Sequence, residues 1–146
     1  MESYINLVTR DLDKLKMEIT AFTDEENLWI AKEGVTNSAG NLCLHLLGNL
    51  NHFIGAVIGE SGYERDRNAE FEDKHINRQE LLTNIDATKQ TVSFSLGIFD
   101  VSRLKTSYPI NVFNEEMSYE YFLIHLIARL SYHLGQINYV RRILEP

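Results

Sequence analysis

The amino-acid sequence predicts an all-α fold, a four-helix bundle with two long connections. Three observations carry that reading. Apolar residues recur at helical spacing in four separate stretches. Side chains suited to capping helix N-termini precede several helical segments. Only two prolines occur, Pro109 and the terminal Pro146, and neither falls inside a helical stretch. Each apolar stripe has to be covered by another element, and in a chain of 146 residues four such helices cover one another around one core.

The first helix is expected from about Ser3 to Phe22, with Ile5, Val8, Leu12, Leu15 and Ile19 on one stripe. Thr23 and Glu26 have the spacing of a capping box and open a short helix through Trp29. "KEGVTNSAG" reads as a loop. The second helix is expected from Ser38 to about Gly59, with a seam of Leu42, Leu46, Leu50, Phe53 and Val57. "ESGYERDRNAEFEDKHI" is polar and reads as a loop, in which Arg65, Asp66, Arg67 and Glu70 form a solvated, salt-bridged surface. Asn77 and Glu80 repeat the capping pattern and open the third helix, whose inner face carries Leu81, Ile85, Thr88, Val92 and Leu96 before Gly97. "DVSRLKTSYPINVFNEEM" shows little helical periodicity and reads as a connection with room for extended backbone. Ser118 caps the fourth helix, which runs to about Leu144. No internal repeat or low-complexity segment occurs, so residues 1–146 read as one helical domain.

Composition narrows the function. The net charge of −7 disfavours nucleic acid as a partner, because phosphate binding wants a basic face. No apolar run is long enough to span a bilayer, and the N-terminus is charged from its second residue, unlike a secretory signal. A cytoplasmic protein without a membrane partner is the expectation. The single cysteine, Cys43, excludes an internal disulfide and any cysteine-based metal cluster, and its setting in "NLCLHLL" reads as a buried, inert thiol.

The histidines are the chemical candidates. His45 and His52 lie seven residues apart on the second helix, near one face; His125, Arg129 and His133 form a stripe at i, i+4 and i+8 on the fourth. His75 falls in the polar loop. Neutral imidazoles on facing helices of a bundle can hold zinc, nickel, iron or copper. On spacing alone, however, one histidine on each of two helices is more often a hydrogen-bonded core or rim residue than a ligand. Asn49, one turn after His45, reads as an interhelical hydrogen-bonding residue or as a supporting partner of that histidine. Tyr119, Tyr121, Phe122, Tyr132 and Tyr139 read as core and interface.

"LHLLGNLNHFI" together with "HLIARLSYHLGQINYVRRI" resembles the DinB/YfiT-like superfamily, and the segments between fall in the expected order over nearly the whole chain. The resemblance implies a four-helix bundle with crossover connections, often dimeric, holding a metal on three histidines. One ligand comes from the second helix and two from the fourth, four residues apart, the later one just before Gly-Gln. His45 and His133 match the first and last of these positions. Arg129 stands at the middle one. An arginine cannot ligate and brings a permanent positive charge, so weak or absent binding of zinc or nickel is expected. A guanidinium directed into the pocket would instead recognise a carboxylate or phosphate; directed outward, it would pair with a surface acid. Gly135 is expected to let its helix pack closely on a neighbour, and Gln136 to hydrogen-bond within the site.

Three functions follow as expectations. The resemblance implies a metal-dependent transferase, isomerase or hydrolase, catalytically lapsed if the metal is lost. The second is a protein that binds a small anion between Arg129 and the two histidines, with Asn49 and Gln136 as further pocket residues. The third is a homodimer serving as an interaction protein.

Overall fold

The computed structural model describes residues 1–146. It is all-helical, without a strand: α1 Glu2–Ala21, α2 Ala39–Leu50, α3 Arg67–Glu72, α4 Arg78–Gly97 and α5 Tyr119–Leu144. Helix α1 lies against α4 and α5, and α2 likewise lies against α4 and α5, so the four long helices enclose one core. The stripes seen in the sequence do the enclosing. Val8, Leu12, Leu15 and Ile19 of α1 are buried, as are Leu81, Ile85, Thr88, Val92 and Leu96 of α4. Cys43 is also fully buried, and burial pushes its thiol up to about 12. No helix is long and apolar enough to cross a membrane.

The helix starts follow the side chains. Ser38, Asn77 and Ser118 each accept a hydrogen bond from the backbone N–H three residues on and so open α2, α4 and α5. The first connection differs from expectation. The short helix is a 3₁₀ turn, Glu25–Trp29, capped by Asp24, whose carboxylate accepts from Glu26 N. Asp24 takes the place expected for Thr23, and the Thr23 N–H that a capping box would give to Glu26 donates instead to the Glu145 carboxylate near the C-terminus. The same carboxylate accepts from Asn27 Nδ2 and Asp24 N, and these bonds hold its pKa down at about 2. Trp29 then closes over α2, its ring so near Gly40 that a Cβ there would fall 2.7 Å from the indole.

Two further expectations are corrected. The second helix is not α-helical to Gly59. Beyond Leu50 it continues as a π turn, Asn51–Ala56, in which Val57 N donates to His52 O and Gly59 N to Ile54 O, each five residues back. The wider turn is supported from outside: Tyr108 Oη donates to Phe53 O at 2.7 Å, and Asn51 Nδ2 donates to Thr88 Oγ1 at 2.8 Å. Ile54 takes the fully buried position, while Phe53 is only half-buried and Val57 likewise.

The polar segment after the π turn is not wholly a loop. Asp66 accepts from Ala69 N and opens the six-residue α3. Polar composition masked this helix, because its inward face is polar too. Between α4 and α5 the chain makes a 3₁₀ turn at Val101–Arg103, then an isolated antiparallel bridge between Ser107 and Ser118. Tyr108 packs there against Tyr119 and Phe122, which brings residues 110–113 beside α5.

Candidate functional site

The site lies where α2, α3 and α5 meet. His45 is 2% exposed, so both ring nitrogens need partners inside the protein. Nδ1 lies 2.9 Å from Glu70 Oε2, and Nε2 lies 3.2 Å from Arg129 Nη2. A carboxylate only accepts and a guanidinium only donates. The network therefore assigns the proton to Nδ1 and leaves a lone pair on Nε2 turned toward Arg129.

Glu70 is the residue that sequence reading misplaced. It is buried, at 5% exposed, rather than solvated. Arg65 grips it with two bonds, Nε to Oε1 at 2.6 Å and Nη2 to Oε2 at 2.9 Å. Burial opposes its ionisation, but bonds from His45 and Arg65 and the charge of Arg65 outweigh that cost and hold its pKa below the usual range. Arg65 Nη2 also lies 3.5 Å from His45 Nδ1. Both groups donate, so that approach is proximity around a shared carboxylate. Gly48 makes room for the arrangement: a Cβ at that position would fall 2.0 Å from Glu70 Oε1. Two signals in the sequence pointed this way, the N-cap residue Asp66 four positions before Glu70 and the glycine three positions after His45.

His133 meets His45 edge to face, with ring centroids 5.4 Å apart. Its Nδ1 is 2.6 Å from Gln136 Oε1, and its Nε2 is buried without a partner. Burial, with the nearby charge of Arg129, pushes its pKa down despite the Gln136 bond. Gln136 itself is exposed and reaches the site only through that bond. Gly135 departs from expectation: a Cβ there would meet nothing within 4 Å, so no element of this chain packs closely on it, and α5 runs unbroken through it.

A cavity of about 360 Å³ opens beside these groups. His45, Asn49, Arg65, Arg67 and Arg129 line one part. Asn49 is 8% exposed and bonds to none of them. Phe53, Phe113, Phe122, Leu126 and His125 line the other. His125 stacks parallel to Phe122 and meets Phe113 edge to face, and burial followed by the charge of Arg129 pushes its pKa down. His52 packs against Phe53 and does not line the cavity. His75 is exposed beside Glu26.

Arg129 is the unbalanced group. It is half-buried, yet no carboxylate lies within ion-pairing distance, and its hydrogen-bonding partner is the neutral nitrogen of His45. Burial lowers its pKa, and the neighbouring charges of Arg67 and Arg65 lower it further. The site thus concentrates three guanidiniums, of which Arg65 alone pairs with a carboxylate.

The family model described as "Protein of unknown function (DUF1572)" matches residues 1–146. The chain belongs to the DUF1572 family. No curated protein matches it. In this DUF1572 chain the site is assembled from four stretches distant in sequence: α2, the α3 segment, residues 112–113 and α5.

Proposed function

We propose that this is a DinB-like four-helix bundle whose site binds a small anion instead of a divalent metal. The observation that carries the reading is Arg129, a half-buried guanidinium with five N–H donors and one neutral acceptor. An anion beside it would supply the missing acceptors and offset the repulsion from Arg65 and Arg67. The donor set does not fit zinc or nickel. His45 Nε2, the nitrogen a metal would need, faces a permanent cation at 3.2 Å, and Glu70 is committed to Arg65 on the far side of the ring. The metal-dependent transferase or hydrolase implied by the resemblance has no third ligand here.

Carboxylates or phosphate are expected to raise the melting temperature of the natural protein. In Arg129→Ala the affinity should fall by about 10- to 100-fold, the worth of one charge-assisted hydrogen-bonding group. Calorimetric titration with acetate and inorganic phosphate at low ionic strength measures it. Equal affinity in protein and variant would defeat the reading.

A second copy of the chain is the expected partner. Tyr121, Ile124, Ala128, Tyr132 and Tyr139 form an exposed stripe along α5 at three- and four-residue spacing, with bare Gly135 in line. A dimer through this face would be reduced to monomer by Tyr132→Glu, measured by sedimentation. A natural protein that stays monomeric up to high concentration would rule the dimer out.

A further inference from the structure

The two parts of the cavity differ in chemistry, and the helices space them along one axis. On α2 and the π turn that continues it the lining residues run His45, Asn49, Phe53; on α5 they run Arg129, His125, Phe122. The steps are four and four residues on the first and four and three on the second, so both pass from charge to apolar ring over two turns, about 11 Å. The cations gather at one end: Arg129 touches His45, and Arg65 touches both His45 and Glu70. The rings gather at the other. Phe53 and Phe122 meet at 90° with centroids 5.1 Å apart, and Phe113 and His125 meet at 76° and 4.8 Å. Arg65 bridges the ends, its guanidinium 5.6 Å from the Phe53 centroid.

Resting on the anion reading, we infer that the ligand is an aryl anion: a flat ring system carrying a carboxylate or phosphate, with the anionic group at Arg129 and the ring in the Phe53, Phe113 and Phe122 end. An inorganic anion would satisfy Arg129 and leave the aromatic end covering nothing. A long acyl chain would outgrow 360 Å³, a volume at the small end of ligand pockets. A planar ring suits walls whose own rings already meet edge to face, because an added ring can enter the same geometry. A carboxylate in turn matches the planar fork of arginine.

Titration calorimetry on the full chain with 2-naphthoate, 2-naphthyl phosphate, 2-naphthol, acetate and inorganic phosphate tests this. At least one naphthyl anion should bind about tenfold or more tighter than both the matching small anion and 2-naphthol, a difference of about 1.4 kcal/mol. The better of the two naphthyl anions identifies the headgroup. Phe113→Ala should shrink the naphthoate-to-acetate ratio, and circular dichroism would verify that its helix content is kept. Small anions binding as tightly as naphthyl anions would overturn the aryl inference and leave the anion reading standing. Naphthol binding as tightly as both naphthyl anions, or no anion binding at all, would overturn both.

Discussion

Replacing Glu70 by glutamine is expected to destabilise the folded chain by about 3 kcal/mol or more, the cost of breaking a buried ion pair by removing one partner. For a chain of this size that lowers Tm by on the order of 10 °C. The amide keeps the shape but removes the charge that Arg65 holds with two bonds, and it leaves one acceptor oxygen where Arg65 and His45 share two. An unpaired guanidinium is left at 13% side-chain exposure. The same carboxylate gives stability a pH dependence. Its folded pKa lies below its unfolded value, so the unfolded chain takes up the proton first as pH falls. The contribution is complete above the unfolded pKa, near 4.3 for a free glutamate, and is lost as pH falls through the lower folded value. Thermal unfolding of protein and variant between neutral pH and pH 3 measures both effects. Superimposable curves at neutral pH would mean that Glu70 contributes nothing to the fold.

Replacing Arg129 by histidine is expected to turn the proposed anion site into a metal site. The imidazole would stand one turn before His133 on the same face of α5, opposite His45. Three histidines from two helices form a sound ligand set with an open position. The change also removes a fixed charge. At an effective dielectric constant of about 20 and a separation of about 5 Å, repulsion between a guanidinium and even one unit of metal charge is about 3 kcal/mol, more than a hundredfold in affinity. Zinc or nickel affinity should therefore rise by at least that factor while anion binding falls. Tight, stoichiometric metal binding by the natural protein, abolished by His133→Ala, would show instead that another residue completes a metal site around Arg129.

The sequence made the helices legible because their signals are local. The stripe of α4 and the caps Asn77 and Ser118 are read from neighbours within a turn or two. Glu70 was easily misread for the opposite reason, despite the cap at Asp66 and the space at Gly48. Its acidic character, among Arg65, Asp66 and Arg67, is what a solvated loop also shows, and only the approach of α2 buries it. The pairing of His45 with Arg129 joins residues 84 positions apart, and spacing along one helix says nothing about which residue of another helix will face it. The π turn left no periodic signature either. Its support comes from Tyr108, 55 residues downstream of Phe53.

That π turn bears on how the pocket can change over evolutionary time. A π turn is an α-helix with a residue to spare, so the chain can lose one residue between 51 and 56 and still close its hydrogen bonds as an ordinary α-helix. Because the wider turn spreads one revolution over an extra residue, that loss would leave the chain beyond it aimed much as before, while the residues inside the turn take new directions. Phe53 is one of those residues. A change of length at this point therefore re-aims one wall of the cavity, Phe53, while His45 and Asn49 before it keep their places, and two chains that differ there would share one frame around differently shaped hollows.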